Sequence, residues 1–263
     1  MSQDILLDVE DRVATVTLNR PDKMNAFTVG MVDQWAAALE ECAARDDVAV
    51  IVVTGAGKAF CSGGDIDLLM RARSGARPLD RKNELAEHVH RIPLLLERMD
   101  KPVIAAMNGA AAGAGLDLAL MCDIRFAAQS AKFAETYTKV GLVPGAGGAW
   151  ILPRIVGTAK ALELFWSADF IDAAEAERIG LINKVLPDGD LLDHTYAFAR
   201  RVADGPQLAV RVIKRAVYQG QRMELRPALD MISSHYAIVT DSDDHKEAVA
   251  AYLEKRKPQF GKG

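Results

Sequence analysis

Asp117 stands inside the apolar, helix-favouring run 116–121, directly after the run 110–115 in which every residue is alanine or glycine. A carboxylate one turn into an apolar helix costs several kcal/mol of desolvation unless it is paired or neutralised. The first amides of a helix lack internal partners and carry the positive end of its dipole, so this segment offers donors to an anion. Small side chains let a bulky group lie against the backbone. Donors, room and a costly acid within a few residues make a candidate reaction site. The same residues fit a plainer reading, tight helix–strand packing with Asp117 as a buried structural acid. They do not form a standard nucleotide loop. Leu118 falls where the third glycine of a dinucleotide fingerprint belongs, and no lysine follows as in a phosphate loop.

The elements that must position this site can be read along the chain. Pro102 cannot sit in a central ladder, so a buried strand starts at Val103, and Asn108-Gly109 signals a turn. Upstream, 5–9 and 12–18 are β-rich around Glu10-Asp11 and predict a hairpin. Thr28 is expected to cap a helix running to about Ala44, with Val32, Trp35, Leu39 and Cys42 on one face. The run 49–54 reads as a strand of the buried parallel type. A second small-residue loop follows it, Gly55 to Asp67, containing Ser62-Gly63-Gly64-Asp65-Ile66. Two such loops after two parallel strands can converge at one end of a sheet, where α/β proteins bind ligands. One helix is expected over 82–99, carrying His88 and His90 two residues apart and therefore on different faces. After a strand at 124–128, the chain passes Glu135 and Tyr137 to a glycine-rich loop at 141–148. The last third is predicted largely helical: 158–167, 172–179, 189–203, 206–220, 224–239 and 242–255, with a short strand at 182–186. The change near residue 158 divides a mixed α/β core, 1–157, from a helical region, 158–263.

At 263 residues, 50% hydrophobic and 26% charged, the chain can bury a sizeable core without disulfides. Its net charge of −4 argues against a non-specific nucleic-acid binder. Cys42, Cys61 and Cys122 are an odd set without metal-ligand spacing, which suits a reducing compartment and a cytoplasmic location. No export peptide and no membrane span is expected.

Several motifs then occur together, in order: Asn19-Arg20-Pro21 with Asn25-Ala26, Ala59 through Ile66, Asn108-Gly109 through Asp123, Gly141 through Gly148, and Tyr252 through Lys257. In these the chain resembles the enoyl-CoA hydratase/isomerase (crotonase) family over nearly its whole length. The resemblance implies an α/β fold, a spiral of ββα units with a C-terminal helical region for trimer assembly, and a homotrimer or a hexamer of two trimers. It implies an acyl-coenzyme A substrate, no permanently bound cofactor and no metal, in fatty-acid or related acyl-CoA degradation. By position, Gly64 and Ala114 should give the two amides that hold the thioester oxygen. Lys23 and Ala26 should contact the pantetheine and phosphates, and the backbone around Ser62, Asp65 and Ile66 the adenine. Tyr252 and Lys255 should reach coenzyme A from a neighbouring subunit.

The sequence departs from the family pattern at the chemistry. Asp117 matches the first of the two glutamates of a typical hydratase, one methylene shorter. Tyr137 stands at the second, and Gly145 stands where family isomerases place an aspartate. Glu135, two residues before Tyr137, projects to the same side of an extended segment and is a possible substitute. Three readings stay open: a hydratase in which Tyr137 orients water and Asp117 moves protons, an isomerase with Asp117 as single base, and an acyl-CoA-binding protein with impaired catalysis. A serine hydrolase lacks support, since there is no Gly-x-Ser-x-Gly elbow. The acyl pocket is expected to be walled by Leu68, Leu69, Met70 and the 74–90 segment.

Overall fold

The structure is a computed structural model that describes residues 3–65 and 77–261. β1 (Ile5–Glu10) and β2 (Val13–Leu18) form the expected antiparallel hairpin, turning through Asp11 and Arg12 at positive φ. β2 then starts a parallel run with β3 (Val50–Gly55), β5 (Val103–Met107), β7 (Ile124–Ala128) and β10 (Lys184–Leu186). Every residue of β5 and nearly all of β3 is buried, as parallel strands covered on both faces require. Helix α1 (Val29–Ala44) packs on β1 and β2, and its first turn is closed by Thr28, whose hydroxyl accepts the Met31 amide at 3.1 Å.

A second sheet carries the site. β4 (Ala59–Cys61), β6 (Ala110–Ala112) and β8 (Lys132–Ala134) run parallel, and β9 (Ile171–Asp172) joins β8 antiparallel. The polyalanine segment 110–112, read from sequence as leading into a helix, is therefore a strand. Alanine favours helix, but ladder bonds to neighbours on both sides decide its conformation. Phe60 and Phe133, both fully buried, pin this sheet to the core, each contributing about 1.5–3 kcal/mol.

The single helix expected over 82–99 is in fact two. α2 (Pro78–Glu84) leads into a π-helical turn at Leu85–Val89, where the His90 amide reaches back to Leu85 O at 3.0 Å, and α3 (Arg91–Arg98) follows. Pro93 is tolerated because it lies in the first turn of α3. α4 (Ala114–Leu120) is the short site helix, and the Arg125 guanidinium donates to Cys122 O (2.8 Å) beyond its C-terminal end. α5 (Gly148–Val156), α6 (Thr158–Ser167) and α7 (Ala173–Arg178) follow, the last capped by Asp172 as its spacing to Glu175 suggested. α8 (Leu191–Ala203) lies across β2, β3, β5 and β7.

α9 (Gln207–Gly220), α10 (Leu225–Thr240) and α11 (Asp243–Leu253) complete the chain. Asp123 ties α9 down: it accepts from the Val103 amide (2.7 Å), Lys214 (2.7 Å) and Tyr218 (2.9 Å). α10 and α11 expose Leu225, Leu229, Tyr236, Tyr252 and Leu253, far more apolar surface than helices of a closed domain show. Among the described residues no helix is long and apolar enough to cross a membrane, and the three cysteines are free and buried.

Candidate active site

The three parallel strands of the second sheet end side by side, and each hands over to residues of the site. β4 is followed by Ser62, Gly63 and Gly64, β6 by Gly113 and Ala114, and β8 by Glu135 and Tyr137. The first loop is fixed by Phe27, whose amide donates to Gly63 O (2.9 Å) and whose carbonyl accepts from Asp65 N–H (2.9 Å). Gly63 has φ +96°, and a Cβ there would lie 3.0 Å from Ala112 O and 3.6 Å from the Ala114 amide nitrogen. Gly115 presses on Cys61, with space for no side chain: a Cβ would sit 2.4 Å from Cys61 O. The two small-residue loops thus meet backbone to backbone. Among the described residues neither the Gly64 nor the Ala114 amide has an acceptor within the chain.

Asp117 lies in the first turn of α4 and is fully buried. The Tyr137 hydroxyl donates a short hydrogen bond to its Oδ2, while Oδ1 has no partner at full hydrogen-bond geometry. Burial raises the Asp117 pKa to about 6, opposed by the Tyr137 hydroxyl, by the amides of Gly148 and Ala146, and by Glu135. Those amides belong to the start of α5 and the loop before it, so a positive helix end faces the carboxylate. Gly148 is indispensable to this approach, since a Cβ there would meet Asp117 Oδ1 at 1.8 Å. Burial also pushes the Tyr137 phenol far above its usual range, with the Asp117 charge adding to it. Glu135 is fully buried, neither of its oxygens has a partner, and burial followed by the Asp117 charge holds its carboxyl well above the ordinary range.

The structure brings Gly64, Ala114, Asp117 and Tyr137 together, as the sequence suggested, and adds Glu135 to them. The Tyr137 hydroxyl spends its proton on Asp117, so toward water it has only its oxygen lone pairs to offer, as an acceptor. Gly148 was visible only as one glycine in a loop, and nothing local announced that it makes room for a carboxylate. Gly145 carries no acid, and its carbonyl is held by His90 Nε2 at 3.0 Å, while His88 Nδ1 pairs with Asp33 at 3.0 Å. Neither histidine belongs to a metal cluster, and none is found among the described residues.

Of the residues expected at coenzyme A, Lys23 is exposed beside the site loops. Ala26 has both backbone groups engaged, its amide with Lys23 O and its carbonyl with Arg20. The Ser62 amide donates to Met24 O (3.0 Å), which leaves its carbonyl to meet a ligand. The Asp65 carboxylate pairs with Arg20 at 3.1 Å and braces the loop. Ile66, together with Leu68, Leu69, Met70 and part of the 74–90 segment, lies outside the described residues. Tyr252 and Lys255 are exposed at the end of α11 and just past it. A cavity of about 380 Å³ with largely apolar walls is lined by Tyr137, Leu142, Pro144, Phe165 and Trp166.

This geometry defines the class of fold: a two-sheet α/β protein with buried carboxyls gathered at the carboxyl ends of parallel strands. Comparison with known proteins gives the family. The family model described as enoyl-CoA hydratase/isomerase matches residues 8–263, and the chain belongs to that family. It is 40% identical to a probable enoyl-CoA hydratase of Rhodobacter capsulatus, covering 97% of each chain. It is 38% identical to the 1,2-epoxyphenylacetyl-CoA isomerase of Escherichia coli over 99% of both. A crystal structure of an enoyl-CoA hydratase/isomerase from Mycobacterium abscessus superposes with a TM-score of 0.93 at 34% identity, covering 98% of this chain and 99% of that one.

Proposed function

We propose that the protein acts on acyl-coenzyme A thioesters, hydrating or isomerising an unsaturated acyl chain through a thioester enolate. The observation that carries this reading is the pairing of two acceptor-free amides, Gly64 and Ala114, with a fully buried carboxylate in the helix turn that Ala114 begins. An enolate oxygen between those amides gains most in the transition state, where one such donor is worth about 3–4 kcal/mol. Asp117, with its pKa near 6, is ionised at neutral pH yet basic enough to take a proton. Tyr137 fixes Oδ2 of that carboxylate, while Oδ1 lies against the start of α5 at Gly148. Moving a double bond needs only this one base. Hydration also needs a proton delivered to Cα, which Asp117 can return after taking it from water.

Lys23 and the Ser62 carbonyl form the coenzyme side of the site in this reading, and the apolar cavity lined by Tyr137 gives the acyl chain room. Ala26 and Asp65 act there by shaping the loop. The exposed faces of α10 and α11 build a trimer or hexamer, which brings Tyr252 and Lys255 to a neighbour's coenzyme. The protein then works in the cytoplasm, in fatty-acid or related acyl-CoA degradation. The test is a screen of saturated, 2-enoyl, 3-enoyl and aromatic coenzyme A thioesters, read by absorbance and product mass, with Asp117→Asn alongside. The variant should bind thioesters as the wild type does and lose about 10²–10⁴-fold in turnover. Full activity in Asp117→Asn would make Asp117 a structural acid and end this reading.

A further inference from the structure

Glu135 is the buried titratable group that the proposed reaction leaves unused. It follows the last residue of β8, is fully buried, and has two oxygens without a hydrogen-bond partner. A buried ionised carboxylate with no partner would cost several kcal/mol, so a fold that keeps one there must hold it neutral. What faces it supports this. From α4 comes the Asp117 carboxylate; from its own turn comes Tyr137, already bonded to Asp117; among the described residues no cation is among the groups that act on it. Two carboxyls pressed together in a dry site cannot both ionise, and they share a proton instead.

We propose that Glu135 is a positioning residue for Asp117, the two carboxyls holding one proton between them, with Glu135 as the neutral acid. This rests on the acyl-CoA reading for its catalytic meaning, not for its protonation. As a neutral acid Glu135 points a donor toward Asp117 and, with Tyr137 and the α5 amides, offsets the burial that works against the Asp117 charge. Asp117 therefore stays a carboxylate at neutral pH although it is fully buried. When it takes a proton from substrate or from attacking water, the pair holds two. When it returns one to carbon, the pair is back to one, and no outside acid is required.

The test has an arm that needs no turnover. Infrared spectroscopy of wild-type protein at pH 8 should show the carbonyl stretch of a protonated, buried carboxylic acid, and Glu135→Gln should lack it. No such band in wild type, or a band that survives in Glu135→Gln, overturns the proposal. The second arm follows the acid limb of kcat against pH. Glu135→Gln keeps a donor beside Asp117 and should leave the limb near its wild-type position. Glu135→Ala removes the donor and should move it to a tenfold lower proton concentration. An unmoved limb in a folded Glu135→Ala protein would also overturn the proposal, and if that variant does not fold the infrared arm decides alone. Should the wild type turn over no thioester while the band is present, the acyl-CoA reading fails and the shared proton stands.

Discussion

Replacing Gly148 by alanine tests whether the fold, and not the substrate, fixes the Asp117 carboxylate. A Cβ at 148 would lie 1.8 Å from Oδ1 and 2.5 Å from Cγ of Asp117, against about 3.5 Å for atoms in van der Waals contact. A shortfall of roughly 1.5 Å must be taken up by Asp117 or by the start of α5. Asp117 has little freedom, being fully buried and bonded to Tyr137. Alanine is intrinsically better in a helix than glycine by about 1 kcal/mol. Overpacking costs about 1–3 kcal/mol, so the clash should win and lower the thermal midpoint. A reacting group displaced by about 1 Å costs about 100-fold in rate, and kcat on the best thioester should fall by that much. The double variant Gly148→Ala, Asp117→Ala removes the obstructing carboxylate, so stability should recover while activity does not. Wild-type turnover in Gly148→Ala would refute the placement of Asp117 beneath α5.

Four further outcomes are expected. Tyr137→Phe removes the donor that lowers the Asp117 pKa, so the acid limb of the pH–rate profile should move to higher pH; a limb that stays put would show the bond to be without consequence. Ala114→Pro deletes an oxyanion donor and should cost about 100-fold or more in turnover, whereas Ala114→Gly keeps it and should be tolerated; a fully active proline variant would place the donor elsewhere. Folded Asp117 holds its proton up to about pH 6 while the unfolded residue releases it near 4, so Asp117 makes stability fall as pH rises through that window. Asp117→Asn should accordingly gain stability relative to wild type at pH 8 and lose the advantage below about pH 4, as denaturant titrations at the two pH values would show. Light scattering at micromolar concentration should report a trimer or hexamer, and a monomer would leave the apolar faces of α10 and α11 unexplained.

What the sequence made legible is what local chemistry controls. The Asp11–Arg12 hairpin turn, the Thr28 cap and the Asp172 cap depend on residues a few positions apart, and each was readable. The strand at 110–112 was not, because alanine prefers helix and only its two ladder neighbours overrule that preference. The break at 85–89 escaped for a similar reason: the π-helical turn accompanies a bond from His90 to a loop 55 residues away. At the site, the order of motifs pointed to Gly64, Ala114 and Asp117, which the fold brings together. The bond from Tyr137 to Asp117 was not legible, since the two stand 20 residues apart and no spacing rule connects them. The pairing of the Asp65 carboxylate with Arg20 was not legible either, a long-range pair that composition cannot reveal.

The parallel ends of β4, β6 and β8 divide the site into parts that can change independently. The donors are main-chain amides, so they persist whatever side chains surround them, provided the close approaches at Gly63 and Gly115 survive. The acids are side chains from α4 and from the residues after β8, and none of them is needed to hold the strands in register. In the proposed reaction a lineage or a laboratory can therefore alter 117, 135, 137 and 145 while leaving the two amides in place, whereas one added methyl at 63 or 115 would disrupt the backbone contact that every variant shares. Libraries that randomise the first set and freeze the second should yield new reactivities at a higher rate than libraries spread evenly over the pocket.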